Sequence, residues 1–228
     1  MYDLPELGEI IIRRNSRSRR ISLRISAAEV VLTLPTTADI GEGYRFLERH
    51  REKIVARLLE YRSNYWNEYT AINALTFTGR IERKKVKEIC STLKKSQLRI
   101  YVPLNLPIDN FKMQLQLRKQ LEPHLLSEAQ KILPEYTDQL ARRHGFTFLS
   151  VKVNKSRGRW GSCSKLKRIN LSFFLILLPT HLVEFIILHE LCHTVEMNHG
   201  PRFWELLDKV TEGKASEYTN ELKEYHTW

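Results

Sequence analysis

The sequence predicts a mixed α+β fold whose chemistry is confined to its carboxyl-terminal half. Short runs with period-two alternation fill much of the first hundred residues, and a long amphipathic stretch follows them. The segment Leu188–Trp204 (LHELCHTVEMNHGPRFW) then holds three of the eight histidines. This order divides the chain into a basic, strand-rich α+β region over 1–108 and a catalytic region over 109–228.

The elements follow in sequence. Residues 9–34 read as strands: Ile21, Leu23 and Ile25 alternate with Ser22, Arg24 and Ser26. Val30–Leu34 forms a second run that stops at Pro35, so a hairpin turning over 26–29 is expected. Over 39–66, Phe46, Leu47, Ile54, Leu58 and Leu59 fall at helical spacing among charged residues. The region 75–103 returns to strands, with a turn expected at Gly79 and a stop at Pro103. A helical stretch over 109–144 is capped by Asp109 or Asn110, interrupted by Pro123 and Pro134, and ended by Gly145. Strands are expected at 146–153 and 169–175 with a loop between them. Helices follow over about 180–197, with Thr180 as N-cap, and 201–210, ahead of a weakly patterned tail.

Composition bounds the function classes. A net charge of +11 suits polyanionic partners such as nucleic acid or nucleotide phosphates. Three scattered cysteines do not make a disulfide framework and fit a reducing compartment. The amino terminus lacks the basic start and apolar run of a signal peptide. The longest apolar run, Leu171–Leu178 broken by Ser172, is far shorter than the ~20 residues of a membrane helix. A cytoplasmic protein with no membrane association is expected.

His189 and His193 lie one helical turn apart, separated by about 6 Å of rise and about 40° of rotation, so both imidazoles can reach one ion. Glu190 projects about 60° from His193, beside such an ion, where a general base stands. A catalytic zinc site takes a third protein ligand and keeps one position open. His199 leads for that place, because Gly200-Pro201 breaks the helix and lets the chain turn back. Glu196 competes from the same helical face as His189, and otherwise sits near the metal or substrate. Cys192 is expected to pack as a small apolar residue.

Arg159-Trp-Gly-Ser-Cys-Ser164, Ile169-Asn-Leu171, Pro179, His189-Glu-Leu-Cys-His193 and Asn198-His199 with Phe203-Trp204 together resemble the YgjP-like metallopeptidase family. The resemblance covers most of the chain and is most specific over 157–204. It implies a zincin-like fold related to SprT-like proteases, with His189, His193 and His199 on one zinc ion and Glu190 as catalyst. The chain departs from the family pattern at Lys165-Leu-Lys-Arg168.

The segment 155–168 holds six basic residues around Gly158 and Gly161. Arg157, Arg159, Trp160 and Ser162, with Glu196, are the expected substrate-binding residues. They would meet an extended peptide by strand addition, or phosphates through the basic side chains. The leading expectation is a zinc-dependent metallopeptidase. A metal-dependent nucleoside triphosphate pyrophosphatase would use the same site, and a basic nucleic-acid-binding protein would use the zinc for structure alone. Arg13, Arg14, Arg17, Arg19, Arg20 and Arg24 form the densest basic run and the expected place for any nucleic-acid association.

Overall fold

The computed structural model describes residues 10–25, 30–63, 65–109 and 111–226. The fold is mixed α+β, with three small sheets and six α-helices among the described residues. The chain forms two compact units, neither continuous in sequence. One comprises 1–69 with 105–118, and the other 70–104 with 119–228. The division at 108/109 read from the sequence falls within the second piece of the first unit.

In the first unit, β1 (Ile10–Asn15), β2 (Ser22–Ile25) and β3 (Val30–Pro35) form a sheet in the order β1-β3-β2. β2 and β3 pair antiparallel, with Ser22 opposite Thr33 and Ile25 opposite Val30, as the alternation predicts. The turn itself, 26–29, lies outside the described residues, as does Asn110. β1 lies parallel to β3. Val30, Leu32 and Leu34 point to one face and make a core with Leu47 and Ile54 of the following helices.

The single helix expected over 39–66 is two: α1 (Ile40–Arg49), with Asp39 accepting from the Gly41 amide, and α2 (Arg51–Ser63). His50 separates them with its ring nitrogen against the Phe46 carbonyl at 2.8 Å, which satisfies an oxygen of the last turn of α1. No glycine or proline marks this break.

In the second unit, β4 (Ile72–Asn73), β5 (Thr78–Lys84), β6 (Cys90–Lys94) and β7 (Gln97–Pro103) form a sheet in the order β4-β5-β7-β6. The turn expected at Gly79 is instead inside β5. A Cβ there would stand 3.2 Å from the Cβ atoms of both Ile72 and Leu98, its partners on the two neighbouring strands. Close approach, and not chain reversal, explains this glycine.

The helix α3 (Phe111–His144) runs through Pro123 and Pro134 without interruption. Leu117, Leu121, Leu125, Ala129 and Leu133 are all fully buried at four-residue intervals, and this apolar stripe outweighs the two missing amide donors. Gly145 ends the helix with φ 73, and the Phe146 amide returns to the Ala141 carbonyl.

β8 (Ser150–Asn154), β9 (Gly161–Cys163) and β10 (Arg168–Ser172) form the third sheet in the order β8-β10-β9. β9 occupies part of what reads as a loop, and it is an edge strand. In the turn after it, where the sequence departs from the family pattern, Lys167 takes the left-handed φ of 54. A buried 3-10 turn, Phe173–Leu177, replaces the end of the strand expected to 175.

The last elements are α4 (Thr180–Cys192), α5 (Pro201–Val210) and α6 (Ala215–Glu221). α4 is shorter than expected. Its first residue is Thr180, and the cap position before it is Pro179, with no side-chain capping bond. Nine of its thirteen residues are buried, so it is a core helix. Among the described residues no helix is long and apolar enough to cross a membrane.

Candidate metal centre

α4 stops at His193 because the chain tightens there. The Thr194 amide bonds the Leu191 carbonyl at 2.9 Å, the Val195 amide bonds the Cys192 carbonyl at 3.0 Å, and the Thr194 hydroxyl donates to the Leu191 carbonyl. The turn carries the chain back over the helix end, and Pro201 starts α5 at its first position. His199 thereby returns to the two helix histidines.

The potential ligand atoms of His189, His193 and His199 all lie within 4.8 Å of one another. The Nε2 atoms of His189 and His199 face each other at 3.1 Å. Two nitrogens bound tetrahedrally to one zinc at ~2.0–2.1 Å stand roughly 3.3 Å apart, so this spacing fits a shared ion. His193 Nδ1 donates to the Glu196 carbonyl at 3.0 Å, which fixes the tautomer and leaves Nε2 with its lone pair. Burial, followed by the nearness of His193 and His199, lowers the His189 pKa to about 4. Burial also lowers that of His193. Lowered basicity favours the neutral rings that metal ligation requires.

Glu196, weighed as a third ligand, lies outside the converging group. Its backbone carbonyl orients His193. Cys192 is buried, and burial pushes its thiol up to about 12, in keeping with a packing role.

Glu190 follows His189 on α4 and is 5% exposed. Its Oε2 is buried with no hydrogen-bond partner among the described residues. Burial pushes the carboxyl up to about 7, with Arg159 acting in the opposite direction. Gly161 on β9 makes room for it: a Cβ there would lie 2.6 Å from Glu190 Oε1 and 2.9 Å from Cδ. The sequence shows Gly161 as one of two glycines in a basic segment. Its place is a strand laid against a carboxylate.

Phe203 is the site residue that spacing does not reveal. Fully buried, it stacks on His193 at 4.5 Å and 26°. It meets His189 edge-on at 4.9 Å and His199 at 4.7 Å. One ring of α5 thus touches all three imidazoles. The available signals were its place in the family motif and its position four residues after His199, in the first turn of α5.

Nearly the whole chain, residues 19–225, matches the YgjP-like metallopeptidase domain. The chain belongs to the YgjP-like metallopeptidase family. No curated protein and no solved structure matches it. Membership points to a metal-dependent hydrolase, and this YgjP-like chain has a histidine cluster able to hold the metal.

The other expected substrate residues have distinct surroundings in this YgjP-like chain. Ser162 on β9 is half-buried opposite Asn170 of β10. Arg157 pairs with Glu122. Arg157, Arg159 and Trp160 line a cleft of about 320 Å³ with Gly158, Tyr225 and His226. The Trp160 carbonyl accepts from the Ser172 amide at 2.8 Å, which ties this segment to β10.

Two expected results arise here. Gly161→Ala forces the Glu190 carboxylate out of place, because contacts below 3.0 Å cannot persist. Metal-dependent turnover should fall about a hundredfold, the cost of a ~1 Å misplacement, while metal content is unchanged. Parallel metal analysis and rate measurement check this.

The second concerns the metal-free protein. Its Glu190 pKa lies above the unfolded value of 4.5, so the associated stability is fully present below pH 4.5 and is lost as pH rises through about 7. His189, with its lowered pKa, works in the opposite sense between pH 6.5 and 4, so a difference measurement is needed. Glu190→Gln should stabilise the metal-free protein relative to wild type by about 3 kcal/mol at pH 8, at ~1.4 kcal/mol per pKa unit, and hardly at all at pH 4. Denaturant melts of both proteins at the two pH values check the sign.

Proposed function

We propose that the protein is a zinc-dependent hydrolase of the metallopeptidase type, arranged as a zincin. In this reading His189, His193 and His199 hold one zinc ion and Glu190 is the general base. One observation carries it: a buried carboxylate with an unpartnered oxygen, next in sequence to one of three converging imidazoles. A structural zinc site is closed by four protein ligands and gives such a carboxylate no task. The desolvated oxygen costs stability, and a catalytic role accounts for that cost.

A bound zinc ion supplies Lewis acidity, lowering the pKa of a water from 15.7 toward about 7 and polarising a carbonyl. Glu190 Oε2 accepts the proton of the attacking water and returns it to the leaving amine nitrogen. Arg159 opposes the effect of burial and favours the ionised, proton-accepting form of Glu190. The Glu196 carbonyl holds His193 in its ligating tautomer. β9, an edge strand beside α4, suits an extended peptide added by backbone hydrogen bonds. The three free cysteines accord with a cytoplasmic setting.

A nucleoside triphosphate pyrophosphatase is the second reading, favoured by the cleft that joins Arg157 and Arg159 to Trp160 and Tyr225. Phosphates would meet the guanidinium groups and the base an aromatic ring. The purified zinc form, assayed in parallel on a peptide panel and a nucleotide panel, separates the two. Peptide cleavage without release of pyrophosphate and nucleoside monophosphate supports the first reading. Release of pyrophosphate and nucleoside monophosphate without proteolysis removes it and leaves the second.

A further inference from the structure

The first unit carries a second chemical feature, remote in sequence from the histidines. β1 and β2 flank β3, so the loop between them, 16–21, crosses the end of the sheet. The described stretch 10–25 contains six arginines and no acidic residue. Arg17, Arg19, Arg20 and Arg24 are exposed, and none has an acidic side-chain partner among the described residues. Arg24 lies opposite Val31, on the sheet face turned away from Leu32 and Leu34. Arg13 and Ser22, both opposite Thr33, share that face and are exposed.

The loop is held in shape by its own hydrogen bonds. Asn15 Oδ1 accepts from the Arg17 amide at 2.9 Å, and the Ser18 amide bonds the Asn15 carbonyl at 3.1 Å. The Ser18 hydroxyl donates to the Arg20 carbonyl at 2.9 Å. The guanidinium groups are therefore presented from an ordered backbone, which reduces the entropy lost on binding.

The residue type narrows the partner. The first 52 residues hold nine arginines and no lysine. Arginine's planar fork matches phosphate oxygens two at a time, which a lysine ammonium cannot do. A bilayer-docking face also needs an apolar wedge, and no exposed large apolar side chain lies between residues 10 and 25. No exposed aromatic ring lies there either, so base stacking is not provided for.

We infer that Arg17, Arg19, Arg20 and Arg24 form a docking surface for the phosphodiester backbone of nucleic acid, read without regard to sequence. It works independently of the metal centre and would bring the hydrolase to substrates associated with nucleic acid.

The test titrates the full-length protein against fluorescent single-stranded RNA, single-stranded DNA and duplex DNA at several salt concentrations. Wild type should bind with a steep salt dependence. The fourfold variant Arg17→Gln/Arg19→Gln/Arg20→Gln/Arg24→Gln should lose more than about tenfold in affinity at low salt. Its logarithmic salt slope on single strands should shrink by about 3, at ~0.7 per phosphate contact. The matching fourfold lysine variant should keep the slope, showing that charge and not folding is responsible. Removing four exposed lysines of the second unit, Lys85, Lys87, Lys94 and Lys165, should leave affinity within about threefold. An equal loss from either set overturns the inference, as does tighter binding to phosphatidylserine vesicles than to any nucleic acid. Zinc content and hydrolysis of free substrate stay unchanged in the arginine variant, so failure here and failure of the hydrolase reading are distinguishable.

Discussion

Glu190→Gln should retain one zinc ion per chain and lose about a thousandfold in hydrolysis, within the range for a positioned general base. The amide keeps the size of the carboxylate and cannot accept the water's proton. Because Glu190 is not among the three converging histidines, metal content should be unaffected. The same change removes a buried ionisable group, so loss of activity should accompany a gain in stability of the metal-free protein at alkaline pH. That opposition distinguishes a catalytic residue from a structural one, whose loss lowers both. Rates under substrate saturation, with zinc determined on the same samples, read the effect. A variant that stays fully active removes Glu190 from the mechanism.

Phe203→Ala should produce the largest loss of stability among the site variants. The ring is fully buried and is the common floor of all three imidazoles. Its truncation should cost about 3–5 kcal/mol, the usual figure for a buried phenylalanine. Zinc affinity should weaken by about 10–100-fold, because the ligands lose the surface that orients them. Phe203→Leu, which restores much of the volume without the flat face, should recover most of the stability and less of the affinity. Thermal melts and chelator competition separate the two quantities. An alanine variant that melts early but binds zinc as wild type would make Phe203 a core residue only.

The sequence made some of this legible for identifiable reasons. Gly200-Pro201 fixed the start of α5, and the helix expected over 201–210 is Pro201–Val210. The alternation of Ile21, Leu23 and Ile25 marked β2 and its antiparallel partner. The four-residue spacing of His189 and His193 brought both imidazoles together at the end of α4, but the helix ends at Cys192, ahead of the Gly200-Pro201 break read from the sequence, and the tight turn at 193–196 starts the return to His199.

Other features left no local signal. The hairpin between β6 and β7 turns at Lys95 and Ser96, both with positive φ, where glycine or asparagine normally announces such a turn. Pro123 and Pro134 argued for interruption, but the continuous buried stripe of α3 decided otherwise. Gly79 and Gly161 are needed for the approach of residues distant in sequence, so their meaning exists only in the folded chain. Phe203 stands in the sequence only as part of the family motif, and its contact with all three imidazoles exists only in the folded chain.

The most direct test of the metal centre is the zinc content of the purified protein after equilibrium dialysis, for wild type and for His189→Ala, His193→Ala and His199→Ala. Wild type should hold one tightly bound ion per chain, and each single variant should release it to a chelator that wild type resists. Wild type without zinc, or a His199→Ala protein that binds it as tightly, would contradict the three-histidine centre.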